Sequence, residues 1–141
     1  MGKTIVSQSV EKTIDIGREI GEKLHGGEIF AITGDLGAGK THLIKGIAAG
    51  AGANEQHHIN SPTFVLVNEY IGRLDIFHID AYRIETSAEF EQIGFDDFCY
   101  PQSVVLIEWA DKIKDILSQV HSCVWINIEH AGETERLINI G

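Results

Sequence analysis

A chain of 141 residues has room for one domain, residues 1–141, and a domain of that length buries about 70% of its unfolded surface. Eleven Lys plus Arg against 21 Asp plus Glu leave a formal charge of −10, which opposes broad contact with a phosphate backbone or an anionic bilayer. Cys99 and Cys123 form neither a CxxC pair nor a disulfide-rich spacing, so they are expected as reduced, small buried residues of a cytoplasmic protein.

No apolar run nears the ~18 residues that a membrane span needs. The opening MGKTIVSQSVEK has no apolar signal core, and Val6 stands where acylation of Gly2 would call for Ser or Thr. From there the chain alternates strand and helix patterns, which predicts an α/β domain with a mixed, mainly parallel sheet flanked by helices.

A short β-like start at residues 4–6 precedes Ser9, a candidate N-cap. Val10, Ile14, Gly17, Ile20 and Leu24 then mark one face of a helix closed by Gly26 and Gly27. Residues 28–33 (EIFAIT) form an apolar run that enters a glycine-rich loop, and a helix over 40–51 ends near Gly52. The polar stretch 52–62, with His57 and His58, reads as a long, mobile or functional connection.

Residues 63–70 (TFVLVNEY) and 74–83 (LDIFHIDAYR) are β-rich runs spaced as an antiparallel hairpin around Gly72. Ser87 is read as the cap of a short acidic helix through Ile93 that Gly94 ends. The unbroken apolarity of 103–109 (SVVLIEW) marks a central strand covered on both faces. Residues 111–117 are helical in pattern, and 123–129 with 135–140 form a second hairpin around Gly132.

The chemical signal is strongest in Gly34-Asp35-Leu36-Gly37-Ala38-Gly39-Lys40-Thr41, which fits G-x-x-x-x-G-K-[ST] between an expected strand and an expected helix. Glycines let successive backbone N–H groups converge on one anion, the following helix presents unpaired N-terminal donors, and Lys40 adds a full positive charge. Thr41 supplies a hydroxyl suited to Mg²⁺. The acidic balance does not forbid an anionic nucleotide here, because distant carboxylates are screened over ~8 Å while loop donors act at contact distance.

Asp80 and Glu108 each end an apolar strand. The shorter Asp80 is read as joining Thr41 around Mg²⁺, and the longer Glu108 as polarising an attacking water; the alternative is that both are solvated strand ends. His78 lies two residues before Asp80, hence on the same face, and is read as a strand residue near the nucleotide; a His/Asp metal site lacks a third ligand at fixed spacing. Trp109 is either core filling, the favoured reading, or a platform for a base or partner. The acidic run 85–97 reads as a solvated helix face.

Taken together, GDLGAGKTHLIKG, NSPTFVLVNEY, FHIDAYR and VVLIEWADK, in this order over roughly residues 28–113, resemble the bacterial TsaE (YjeE) family. The resemblance implies a P-loop ATPase that works with the TsaB and TsaD proteins in making threonylcarbamoyladenosine in certain tRNAs. It implies phosphate binding by Lys40 and the preceding loop, Mg²⁺ held by Thr41 and Asp80, hydrolysis promoted by Glu108, and a switch loop at Ser61-Pro62-Thr63. Trp109 belongs to the LIEW motif. His42 departs from the family pattern, which often has a second Thr or Ser after GKT, so contacts to the α-phosphate from that position stand apart.

An acidic protein in a tRNA pathway need not touch the RNA if its partners do. A nucleotide switch would dock on the partner complex with ATP and be reset by hydrolysis. Two other readings share the glycine loop. A small-molecule kinase would want a basic lid, yet Arg18, Arg73, Arg83 and Arg136 are scattered. A nucleotide-dependent adaptor would bind without turnover.

Overall fold

The structure is a computed structural model that describes residues 2–35, 37–59, 66–120 and 123–141. The predicted candidates Leu36, Ser61 and Thr63 lie outside the described residues.

Among the described residues, eight strands, β1 (Lys3–Ser7), β2 (Ile29–Thr33), β3 (Glu55–Ile59), β4 (Leu66–Ile71), β5 (Asp75–Asp80), β6 (Ser103–Glu108), β7 (Cys123–His130) and β8 (Arg136–Ile140), form one sheet in the order β1-β8-β7-β2-β6-β5-β4-β3. The centre, β7-β2-β6-β5, is parallel. Both flanks are antiparallel, β5-β4-β3 on one side and β7-β8-β1 on the other. The parallel centre is what the strand and helix alternation predicts, and the two hairpins supply the flanks.

Helices α1 (Val10–Glu22), α2 (Lys40–Gly50), α3 (Ser87–Glu91) and α4 (Lys114–Leu117) cover the sheet, with 3-10 turns at Phe95–Phe98 and Ala110–Ile113. Strand side chains alternate between faces, and the two apolar clusters divide accordingly. Phe30, Ile32, Val104 and Leu106 join Ile16, Leu43, Ile44 and Ile47 beneath α1 and α2. Ala31, Val105 and Ile107 join Phe90, Ile113 and Leu117 on the opposite face. All six residues of β6 are buried, as a strand between two parallel neighbours requires.

Ser9 caps α1, its side chain accepting the Lys12 N–H at 3.1 Å. The buried face, however, is rotated from the one expected. Val10 is 47% exposed and Ile14 and Ile20 are half-buried, while Thr13, Ile16, Gly17, Gly21 and Leu24 face inward. Glycines, not the large aliphatic residues, set the rotation. Gly17 and Gly21 on α1 meet Gly46 and Gly50 on α2, and a Cβ at Gly17 or Gly21 would overlap the carbonyl oxygens of Leu43 and Ile47. One at Gly46 or Gly50 would overlap those of Ile14 and Arg18. The two backbones therefore touch, which fixes α2 against the rest of the domain.

Three local expectations are corrected. Residues 55–59 are not a loop but the edge strand β3, paired with β4 from Glu55↔Ile71 to Ile59↔Val67. Its sequence, EQHHI, lacks apolar alternation because Glu55, Gln56 and His57 are exposed at the sheet edge. Thr86, one residue before Ser87, caps α3 by accepting the Glu89 N–H at 3.3 Å, and the helix stops at Glu91. Cys99 is exposed and Cys123 half-buried, so neither is the small core residue expected. No described helix is long and apolar enough to cross a membrane.

Candidate nucleotide and hydrolysis site

The carboxyl ends of β2, β5 and β6 meet in register, Ile32 beside Glu108 and Glu108 beside Asp80. The two acids read as separate strand ends are thus neighbours on adjacent parallel strands, next to the turn that leaves β2. The outer ends of parallel strands are where α/β sheets place ligands.

That turn is built from glycine for steric reasons. Gly34 leaves β2 so close to β7 that a Cβ would overlap the Ile128 carbonyl oxygen. Gly37 and Gly39 take φ of 79° and 107°, left-handed values that favour glycine. Ala38 between them is fully buried and its N–H donates to the Asp35 carbonyl at 3.0 Å. Gly39 precedes α2 without any side-chain cap, in contrast with Ser9 on α1, which leaves the first turn of α2 open to an anion.

Lys40 is 4% exposed. Its Nζ donates to the carbonyl oxygens of Gly34 at 2.6 Å and Asp35 at 2.9 Å, and lies 3.7 Å from the centroid of the Trp109 ring. Burial pushes the ammonium below its ordinary pKa, while the carboxylates of Glu108, Asp111, Asp35 and Asp80 pull it back up. The lysine is therefore folded back on its own loop.

Glu108 is 8% exposed and its Oε1 lies 2.9 Å from His78 Nε2. It is not a solvated strand end. Asp80 is half-buried and its Oδ1 accepts the Tyr82 N–H at 3.0 Å. Trp109 takes φ 60° and ψ 40°, and among the described residues it is the one non-glycine with positive φ. Its ring lies 4.8 Å from that of Tyr82, tilted by 52°, and over Lys40, so the half-buried Trp109 borders the loop as well as packing against the apolar cluster, where core filling alone was expected.

Two recesses share Gly37, Gly39 and His42. A small one of about 170 Å³ is completed by Lys40, Thr41, Glu108 and Trp109. A larger one of about 280 Å³ lies between the start of α1 and the β7–β8 hairpin, lined by Ser9, Val10, Thr13, Glu133, Thr134 and Arg136 among others. His42 therefore faces both. No group of three or more His, Cys, Asp or Glu among the described residues is placed to hold a metal ion.

Sequence reasoning missed Arg136, treated as one of four scattered arginines. At the start of β8 its Nε donates to the Ala38 carbonyl at 3.0 Å and a terminal nitrogen reaches the Gly37 carbonyl at 3.4 Å. No local motif announces it, because the contact spans almost a hundred residues and depends on β8 lying two strands from β2. The His78–Glu108 contact was missed because it depends on the register of β5 against β6.

These elements define an α/β protein with a mixed sheet, in which a glycine-rich strand-to-helix turn faces two in-register acids. A family model described as threonylcarbamoyl adenosine biosynthesis protein TsaE matches residues 7–138, and the chain belongs to the TsaE family. It is 35% identical over 130 residues to the tRNA threonylcarbamoyladenosine biosynthesis protein TsaE of Treponema pallidum, covering 92% of this chain and 95% of the relative. The Bacillus subtilis protein of the same name is 42% identical over 113 residues, covering 79% and 68%. The crystal structure of Bacillus subtilis YdiB superposes with a TM-score of 0.78 at 31% identity, covering 99% of this chain and 84% of that one.

Proposed function

We propose that this protein binds Mg²⁺-ATP at residues 34–42, hydrolyses it with Glu108, and acts as a nucleotide-dependent accessory of cytoplasmic tRNA threonylcarbamoyladenosine synthesis on a TsaB–TsaD complex. The observation that carries the reading is the convergence of Lys40, Thr41 and Glu108 on one recess, with Asp80 in register beside Glu108. The family membership supports the pathway. The partners hold the tRNA, in keeping with a chain of charge −10.

The residues present fit both groups. An uncapped helix start after two left-handed glycines, with a buried ammonium beside it, suits a phosphate chain. The Thr41 hydroxyl and the Asp80 carboxylate are hard oxygen groups that would hold Mg²⁺. Bound there, Mg²⁺ supplies charge neutralisation on the phosphate oxygens. The 280 Å³ recess beside Gly37 and Gly39 is the place for the nucleoside, with Ser9 and Thr134 as polar walls and Val10 as an apolar one.

In the reaction, the Lys40 ammonium holds the phosphates. Glu108 orients a water whose oxygen bonds to the γ-phosphorus as the bond to the ADP oxygen breaks. The water's proton passes to the Glu108 carboxylate and then to solvent, so that ADP and phosphate leave. ATP binding then sets the docked state and hydrolysis ends it.

Asp80→Asn removes one negative charge with almost no change of shape. It is expected to shift the Mg²⁺ dependence of ATP binding or turnover to higher metal while leaving metal-free nucleotide binding near the parent value. Titrating Mg²⁺ at fixed ATP checks this. Identical metal curves for parent and variant return Asp80 to a purely structural strand end, occupied with the Tyr82 N–H.

A further inference from the structure

His78 is buried, at 9% exposure, in the middle of a sheet, and the reaction above gives it no part. It stands opposite Leu106 in the β5–β6 ladder, so Glu108 is its diagonal neighbour on the same face. The imidazole spans that diagonal, placing Nε2 2.9 Å from Glu108 Oε1. Its other nitrogen, Nδ1, is buried and has no hydrogen-bond partner among the described residues.

That asymmetry says which nitrogen carries the hydrogen. A carboxylate oxygen only accepts, so the contact needs Nε2–H as donor. A buried N–H with nothing to donate to costs more than an unused lone pair at the end of an aromatic ring, so Nδ1 is the bare nitrogen. The side chain is thus arranged with one polar atom satisfied and one forgone. A residue present only to fill the core would forgo nothing if it were leucine.

We infer that His78 is a positioning residue for Glu108: its Nε2–H fixes Oε1, which directs the second carboxylate oxygen to the water. Lys40, Thr41 and Glu108 line the same small recess, so the Glu108 carboxylate competes for the Lys40 ammonium. A free glutamate arm beside that cation would swing onto it. The bond to His78 holds the carboxylate back, keeping Glu108 for water and Lys40 for phosphate. The inference rests on the hydrolytic reading of Glu108.

The first test reads the bond without ATP. In full-length protein labelled with ¹⁵N in histidine, the His78 ring is expected as the Nε2–H tautomer, with a resonance that moves on Glu108→Ala; an Nδ1–H tautomer overturns the inference. The second test is single-turnover hydrolysis of Mg²⁺-ATP with protein in excess. His78→Leu is expected to hold ATP within about threefold of the parent yet hydrolyse it about 10- to 100-fold more slowly, the size of effect typical of losing a hydrogen bond behind a metal-ligating side chain.

His78→Gln, whose amide N–H can still donate, should recover most of the rate. In a Glu108→Gln background His78→Leu should cause no further loss, since the two act as one unit. A parent-like rate for folded His78→Leu beside a slow Glu108→Gln overturns the inference alone, as does an equal fall in both backgrounds. A parent-like rate for Glu108→Gln overturns the hydrolytic reading and this inference with it.

Discussion

Glu108→Gln is expected to leave ATP affinity within a few-fold of the parent and to slow hydrolysis by ~10² to 10⁴, the range of general-base effects. The amide keeps the length and most of the polarity of the side chain, so the His78 Nε2–H retains an acceptor and the β6 end should stay in place. What is lost is the ability to take a proton from water. The variant should also remain docked on its partners with ATP for longer, because docking survives while reset does not. Single-turnover hydrolysis on the assembled complex, with nucleotide affinity measured in parallel, checks both. Equal turnover in a folded, nucleotide-bound variant contradicts the assignment.

The other large effect concerns stability. Gly46→Val is expected to cost about 3 kcal/mol, the upper part of the range for overpacking, and to lower Tm by roughly 10 °C. The added Cβ would overlap the Ile14 carbonyl oxygen and crowd the Arg18 N–H and the Gly17 Cα at 3.0 Å. Backbone cannot rotate aside as a side chain can, so α1 and α2 must separate. Lys40 and Thr41 stand at the first turn of α2, so residual folded variant should bind ATP less well too. Gly132→Ala is the control, since its Cβ would meet Glu135 atoms at 3.4 Å or more. Thermal unfolding of the three proteins decides it, and a Gly46→Val as stable as the control would mean that the helices do not touch.

What could be read from the amino-acid order follows the range of the physics. The loop 34–41 was legible because its glycines, lysine and threonine are consecutive and its strand and helix are immediate neighbours. β6 was legible because burial on both faces demands an unbroken apolar run. The inner face of α1 was legible only in part: Gly17 and Leu24 face inward as expected, but hydrophobic periodicity weights Val10 and Ile14 and passes over Gly21, whose value lies in having no side chain. The edge strand β3 escaped because an exposed strand carries no periodic signal.

The site divides in the same way. Asp80 and Glu108 were each visible as acids after apolar strands, but their adjacency needs the β5–β6 register. The role of His78 needs that register plus a rotamer, and the clamp of Arg136 on the loop carbonyls needs the whole strand order. Trp109 illustrates the limit most sharply. Tryptophan is usually core, and only its left-handed backbone at the end of β6 swings the ring over Lys40.

Lys40 is proposed to carry the nucleotide affinity of residues 34–41. The Lys40 ammonium has two carbonyl partners and the Trp109 face, so what it contributes to nucleotide binding is the surplus of phosphate over those contacts. A hydrogen bond to a charged group is worth ~1.5 to 3 kcal/mol, and the surplus is expected near that range because phosphate charge is what the carbonyls lack. Calorimetric titration of Mg²⁺-ATP into the parent and into folded Lys40→Ala measures it directly. Saturable binding to the parent and a loss of roughly tenfold to a hundredfold in the variant are expected; equal affinity in the two proteins, or none in the parent, contradicts the assignment of Lys40.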